Sequence, residues 1–314
     1  MVYKIKHYLA SSLVLLLITN TLYANDYKAL VSESLSLIES NPQKAKKIAN
    51  KAIDAKPDKG DAYIIKGLIY YISEEDAVKS GVEIRRGMEL IENTEERNMY
   101  IAIIEKMTST YKSKEEFELY QKAYQAIEEN QSEEAISMLN EAASLNKINY
   151  KLQYELGYAY IEMKKYKKAI FHLENGRIIN PVSIKILNEL KYCYSEIGDI
   201  YKLQSILIDI IKYFGERPNL YHELGFAYLR NDNIRLAKLT LETNIKKYPK
   251  YFLSYYTLGQ LYYKENNCSK SKPLIESFIK QGTKEAFKKA NVKVDVKSIM
   301  TEAKVMLEKC AEPN

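Results

Sequence analysis

Tyr160, Tyr194, Tyr228 and Tyr262 stand 34 residues apart, and each closes the same short pattern. Leu156-Gly157 with Ala159-Tyr160 returns as Leu224-Gly225 with Ala227-Tyr228 and as Leu258-Gly259 with Leu261-Tyr262. Leu190-Lys191 with Cys193-Tyr194 keeps the place without the glycine. Ala169, Leu203 and Ala237 recur at the same interval, and Pro181 and Pro249 close alternate units. Self-similarity at a fixed period of this length marks a stacked repeat, in which each unit buries its apolar face only against its neighbours. Leu156, Gly157 and Tyr160 share one helical face at three- and four-residue spacing, and Ala169, Ile170 and Leu173 share another. The unit is therefore a helical hairpin.

Gly157 inside a helix costs roughly 1 kcal/mol relative to alanine. Its return at Gly225 and Gly259 implies that a neighbouring helix comes too close for a side chain. Tyr160 and its counterparts then fill the gap between successive hairpins. Composition agrees: 46% hydrophobic and 28% charged residues fit a folded protein, and only 7 Pro and 11 Gly leave long helices uninterrupted.

These motifs resemble the tetratricopeptide repeat (TPR) family, with its Leu–Gly–Tyr signature on a first helix and small residues on a second. The resemblance implies an all-α fold, a right-handed TPR-type helical-hairpin solenoid. Units starting near Tyr150, Pro218 and Phe252 match well, the one near Ile184 carries Lys191 and Leu203 for Gly and Ala, and another runs from about Glu116 to Asn149. Five units thus cover 116–285. Residues 25–115 read as degenerate TPR-like hairpins, with Ala45, Ala49, Ala52 and Pro57 followed by Tyr63, Gly67 and Tyr70. Residues 286–314 read as a capping helix, amphipathic through Val296, Ile299, Ala303, Met306 and Leu307.

Besides the packing face, each first helix carries a second stripe at the same period. Its members are Tyr120 and Tyr124, Tyr154 and Tyr158, Asn188 and Tyr192, His222 and Phe226, then Tyr256, Gln260 and Tyr263. The TPR resemblance places this stripe on the concave, ligand-facing side. Tyrosine adds contact area with little rotamer entropy, which suits a recognition surface. The candidate groove residues are Tyr120, Tyr124, Tyr154, Tyr158, Tyr192, His222, Phe226, Tyr256 and Tyr263. The Lys and Asn clamp by which one TPR subtype holds a C-terminal carboxylate is not matched, because Lys151, Lys185 and Asn188 occur singly.

Catalytic groups do not converge. Past the N-terminal segment only His172 and His222 occur, in different units, and no phosphate loop, closely spaced Cys pair or His-Glu-x-x-His helix is present. Glu115, Glu116, Glu133 and Glu134 read as helix-start charges. The expectation is a protein that is not an enzyme and uses no metal or cofactor. Lys and Glu alternate along the helices, so nucleic acid is not an expected partner.

Residues 1–24 have a basic start (Lys4, Lys6, His7), an apolar core around Leu13–Ile18 and a polar exit at Ala24, the form of a secretory signal peptide. An uncleaved anchor reaching to Tyr23 would be the only membrane attachment. The formal charge of +6 falls to +4 when Lys4 and Lys6 leave with this segment. Export permits disulfides. Cys193 takes the small buried slot of Ala159 and Ala227 and is expected to be a packed thiol. Cys268 follows the last unit's first helix and Cys310 ends the cap, so a cap parallel to that helix brings the two together, and we expect a Cys268–Cys310 disulfide. The whole reads as an exported, non-enzymatic scaffold of the bacterial cell envelope, periplasmic with secreted or membrane-anchored as the alternatives, binding a protein or peptide in an assembly or secretion complex. The alternative is a carbohydrate-binding or polysaccharide-export helper, since tyrosines stack on sugars as well.

Overall fold

The computed structural model describes residues 26–289 and 295–311, and among them every regular element is helical. The expected signal segment lies outside these residues. None of the described helices is long and apolar enough to cross a membrane. The chain divides into two compact units, Met1–Gly198 and Asp199–Asn314. The division falls at Gly198, in the repeat that carries Lys191 in place of glycine.

The first unit opens with α1 (Asp26–Ser36), α2 (Pro42–Ala55), α3 (Asp61–Ile69, continued by a π turn Tyr70–Glu74), α4 (Ala77–Leu90) and α5 (Thr94–Thr108). It continues with α6 (Lys114–Glu128), α7 (Ser132–Leu145), α8 (Tyr150–Glu162), α9 (Tyr166–Ile179) and α10 (Ile184–Ile197). Helices α1 and α2, α3 and α4, α6 and α7, and α8 and α9 pair as hairpins, and α7 stacks on α8 and α9 on α10. The second unit holds α11 (Ile200–Phe214), α12 (Pro218–Arg230), α13 (Ile234–Lys247), α14 (Phe252–Lys264), α15 (Cys268–Gln281), the short α16 (Lys284–Lys289) and α17 (Val296–Ala311). There α11 packs on α12, α13 on α14, and α17 on the hairpin α14/α15.

The backbone repeats as strictly as the sequence. Asn130, Lys164, Gly198, Asp232 and Asn266, one per repeat and 34 residues apart, all turn with φ between 54° and 74°. Four of the five are residue types that tolerate this left-handed conformation, so the turn is written into the sequence. The glycines act as inferred. A Cβ on Gly157 would sit 2.6 Å from the Leu173 side chain, and one on Gly225 or Gly259 would press likewise on Leu241 or Ile275. Each second helix thus drives a buried Leu or Ile onto the glycine of the first. Between hairpins, Tyr194 donates to Glu174 at 2.7 Å and Tyr262 to Glu242 at 2.9 Å, each reaching back 20 residues.

The N-terminal hairpins follow another rule. Helix α4 packs on α9, far along the chain, and Gly81 lies directly against the Ile178 carbonyl, where a Cβ could not fit. The Tyr71 hydroxyl, on the π turn, donates to the Ile148 carbonyl at 3.0 Å. Glu116 lies in the first turn of α6, as expected from sequence, and is buried there. It is fully buried, its amide donates to the Ser113 hydroxyl at the helix start, and its carboxylate accepts from Asn146 (2.9 Å), Asn149 (2.8 Å) and the Lys112 amide (2.6 Å). Those donors locate the turn between the first two repeats.

At the other end Ala303 and Met306 of α17 are buried with Phe252, Phe278 and Phe287. The sequence reading began the cap at 286; the structure instead forms α16, which supplies Phe287, and starts the capping helix at Val296. Cys268 and Cys310 are disulfide-bonded with Cα atoms 5.2 Å apart. Cys193 is a buried free thiol, and burial pushes its pKa up to about 12.

Candidate binding surface

The stripe on the first helices resolves into two columns four residues apart. In the unit Met1–Gly198 the inner column holds Tyr120 and Tyr154. The Tyr120 hydroxyl reaches Glu155 on the next first helix at 3.4 Å, and Lys151 lies 4.3 Å from the centre of its ring. Tyr111, from the loop before α6, packs 5.3 Å from the same ring. Only 9% of Tyr120 remains exposed. Burial raises the carboxyl pKa of Glu155 and lowers that of the Lys151 ammonium, so the cluster is a partly desolvated set of mutually supporting charges. Tyr154 is half-buried, and burial together with Glu189 pushes its hydroxyl up to about 12.

The outer column is Tyr124, Tyr158 and Tyr192. Tyr124 is 47% and Tyr192 42% exposed. Each ring has an aromatic neighbour. Tyr124 leans on Tyr120 at 6.3 Å, Tyr158 stacks on Tyr154 at 6.5 Å, and Tyr192 meets Tyr166 edge-on at 5.9 Å. Glu128, Glu162 and Glu196 follow the three tyrosines by four residues, one turn further along each helix.

In the unit Asp199–Asn314 the corresponding positions are His222 and Tyr256. His222 Nε2 lies 3.0 Å from Thr257 Oγ1. The Thr257 hydroxyl spends its proton on the Leu253 carbonyl, so the imidazole donates from Nε2. Burial depresses its pKa to about 4. Tyr256 donates to Glu302 of α17 at 2.7 Å, and Gln260 donates to the other oxygen of that carboxylate at 2.6 Å. Tyr263 packs on the same terminal cluster. Phe226 alone of the candidates in this unit is open, at 51%.

The nine residues read as one groove from sequence thus have different fates. Tyr120 and His222 are rungs that join one first helix to the next, Tyr256 joins α14 to α17, Tyr263 packs in the terminal cluster, and Tyr154 lies half-buried beneath Tyr158. Tyr124, Tyr158, Tyr192 and Phe226 face outward. Tyr256 and Tyr263 belong to the contact with the terminal helix and not to an open trough, because α17 takes the place a following first helix would take. The rung partners Glu155, Thr257 and Glu302 were missed in the sequence; the first two lie 35 residues past their rungs, an offset that could have revealed them. Among the described residues no group of three or more His, Cys, Asp or Glu is placed to hold a metal ion.

Stacked antiparallel hairpins with a glycine-to-leucine lock and a repeated left-handed turn define a helical-repeat scaffold of the protein-interaction type. Residues 126–187 match the family model for the tetratricopeptide repeat, and that stretch carries TPR units. No curated protein matches it. Among solved structures, MamA from residue 41 to its end, from Desulfovibrio magneticus RS-1, is 16% identical over 54% of this chain and 94% of that one, with a TM-score of 0.45. Another MamA protein structure is 16% identical over 57% and 96%, with a TM-score of 0.47. The C-terminal part of a TPR repeat-containing protein from Cytophaga hutchinsonii is 15% identical over 82% and 98%, with a TM-score of 0.43.

Proposed function

We propose that this protein is a non-enzymatic adaptor of the bacterial cell envelope, exported to the periplasm, which holds a peptide segment of another envelope protein across its first helices. The observation that carries this reading is the outer aromatic column, in which Tyr124 and Tyr192 are exposed and Tyr158 is partly exposed, each with an aromatic neighbour: Tyr120, Tyr166 and Tyr154 respectively. A rigid amphipathic ring loses little entropy on binding, and three in register offer an extended ligand one contact per repeat. Glu128, Glu162 and Glu196 give the column an acidic edge that complements basic side chains on the partner. Export is supported by the signal-like segment 1–24 and by the Cys268–Cys310 bond, which suits an oxidising compartment.

The test is photo-crosslinking in the living cell with a crosslinker placed at position 192, followed by identification of what is captured. A discrete envelope protein captured at 192, and not from a probe at Tyr201 on a second helix, supports the reading. Equal capture from both positions, or glycan as the captured species, contradicts it.

A further inference from the structure

Helix α17 covers the end of the array and is secured in three ways. Its apolar face stacks Ala303 and Met306 on Phe252, Phe278 and Phe287, with Val296, Ile299, Met300 and Leu307 at the margin. Glu302 accepts from both Tyr256 and Gln260, two members of the binding stripe. Cys310, in its last turn, is bonded to Cys268, the first residue of α15. Ala303 and Met306 are its two buried residues, so the noncovalent hold is modest for a helix of 16 residues. Both cysteines are partly exposed residues rather than sealed ones, and access is one of the conditions for thiol–disulfide exchange.

We propose that the Cys268–Cys310 bond is a redox clasp: reduction converts α17 from a fixed cap into a lid that opens and uncovers Tyr256, Gln260 and Tyr263, lengthening the outer column beyond Phe226. The reductant is an external dithiol. One of its thiolates attacks a clasp sulfur, forming a mixed disulfide and expelling the other cysteine as thiolate. The second thiol of the reductant then closes its own disulfide, and Cys268 and Cys310 each leave with one proton. Two electrons pass to the protein and the dithiol is oxidised. The bond closes a loop of 42 residues, and removing a closure of that size raises the opening equilibrium by up to roughly several hundred-fold on the loop-entropy model. The clasp concerns what is uncovered, whatever the partner, so it stands or falls apart from the identity of the captured protein.

Hydrogen exchange followed by mass spectrometry on the full-length protein tests it in three samples: oxidised, treated with a dithiol, and the Cys268→Ala/Cys310→Ala variant without reductant. The expected result is amide exchange at least ten-fold faster across 296–311 in both the reduced and the variant samples, with residues 218–247 unchanged. Unchanged exchange across 296–311 would overturn the proposal. So would acceleration spread evenly over 200–281, which would make the bond a staple of the whole unit rather than a clasp on one helix.

Discussion

Tyr120 and Tyr124 are one helical turn apart on the same helix, chemically identical, and repeated through the array, yet they have opposite fates. Tyr120 is enclosed by Tyr111, Lys151 and Glu155, while Tyr124 rests on Tyr120 and looks outward at 47% exposure. The difference arises from the neighbouring helix. A rung residue points at the next first helix and meets whatever lies 35 residues on, Glu155 for Tyr120 and Thr257 for His222. A residue one turn later clears that helix. A hairpin array therefore produces a structural column and a freer column side by side, and at Tyr124 and Tyr158 the freer ring rests on the structural one.

Substitutions can break this division. The largest effect is expected for Tyr120→Ala, which empties a buried ring site and strands Glu155, at a cost of about 3 kcal/mol; Tyr124→Ala should cost less than about 0.5 kcal/mol. Comparable losses for the two in urea denaturation would erase the distinction between columns. Next is acid. His222 is held neutral with its pKa depressed from 6.5 to about 4, so the unfolded chain binds a proton that the folded one refuses as pH falls. Its contribution is complete above pH 6.5 and declines between 6.5 and 4, by at most about 3 kcal/mol. The difference between wild type and His222→Gln in urea midpoint should track that window, and parallel pH profiles would show that this rung is not desolvated. A similar scale applies to the packing beneath the columns, where Gly157→Ala drives a methyl into Leu173 and is expected to cost about 1–3 kcal/mol in thermal unfolding. The smallest effect sharpens the comparison most: a double-mutant cycle on Tyr120→Phe and Glu155→Gln should return a coupling of about 0.5–1.5 kcal/mol, and the same cycle on Tyr124 and Glu128 close to none.

The period, the hairpin and the role of Gly157 were legible because each repeats, and a repeat lets weak local signals add. The Cys268–Cys310 pairing followed from placing a cap where a next first helix would lie. The division of the stripe was not read, since two positions four apart share a helix face and only the neighbouring helix separates them. Likewise Tyr256 and Tyr263 were counted as groove, although the amphipathic cap that covers them had been recognised. The docking of α4 on α9 was beyond reach, because Gly81 and Ile178 are remote in sequence and that contact occurs once. The helix-start position of Glu116 is legible in the sequence, but its buried acceptor role is not, because it depends on Asn146 and Asn149, a whole hairpin away.

The central claim is that the outward column does the binding and the inward column does the holding. It is tested most directly by measuring capture of the crosslinked partner by the Tyr124→Ala/Tyr158→Ala/Tyr192→Ala variant alongside its urea midpoint. The account predicts that capture is lost while the midpoint stays close to wild type; capture at the wild-type level by the folded variant would contradict it.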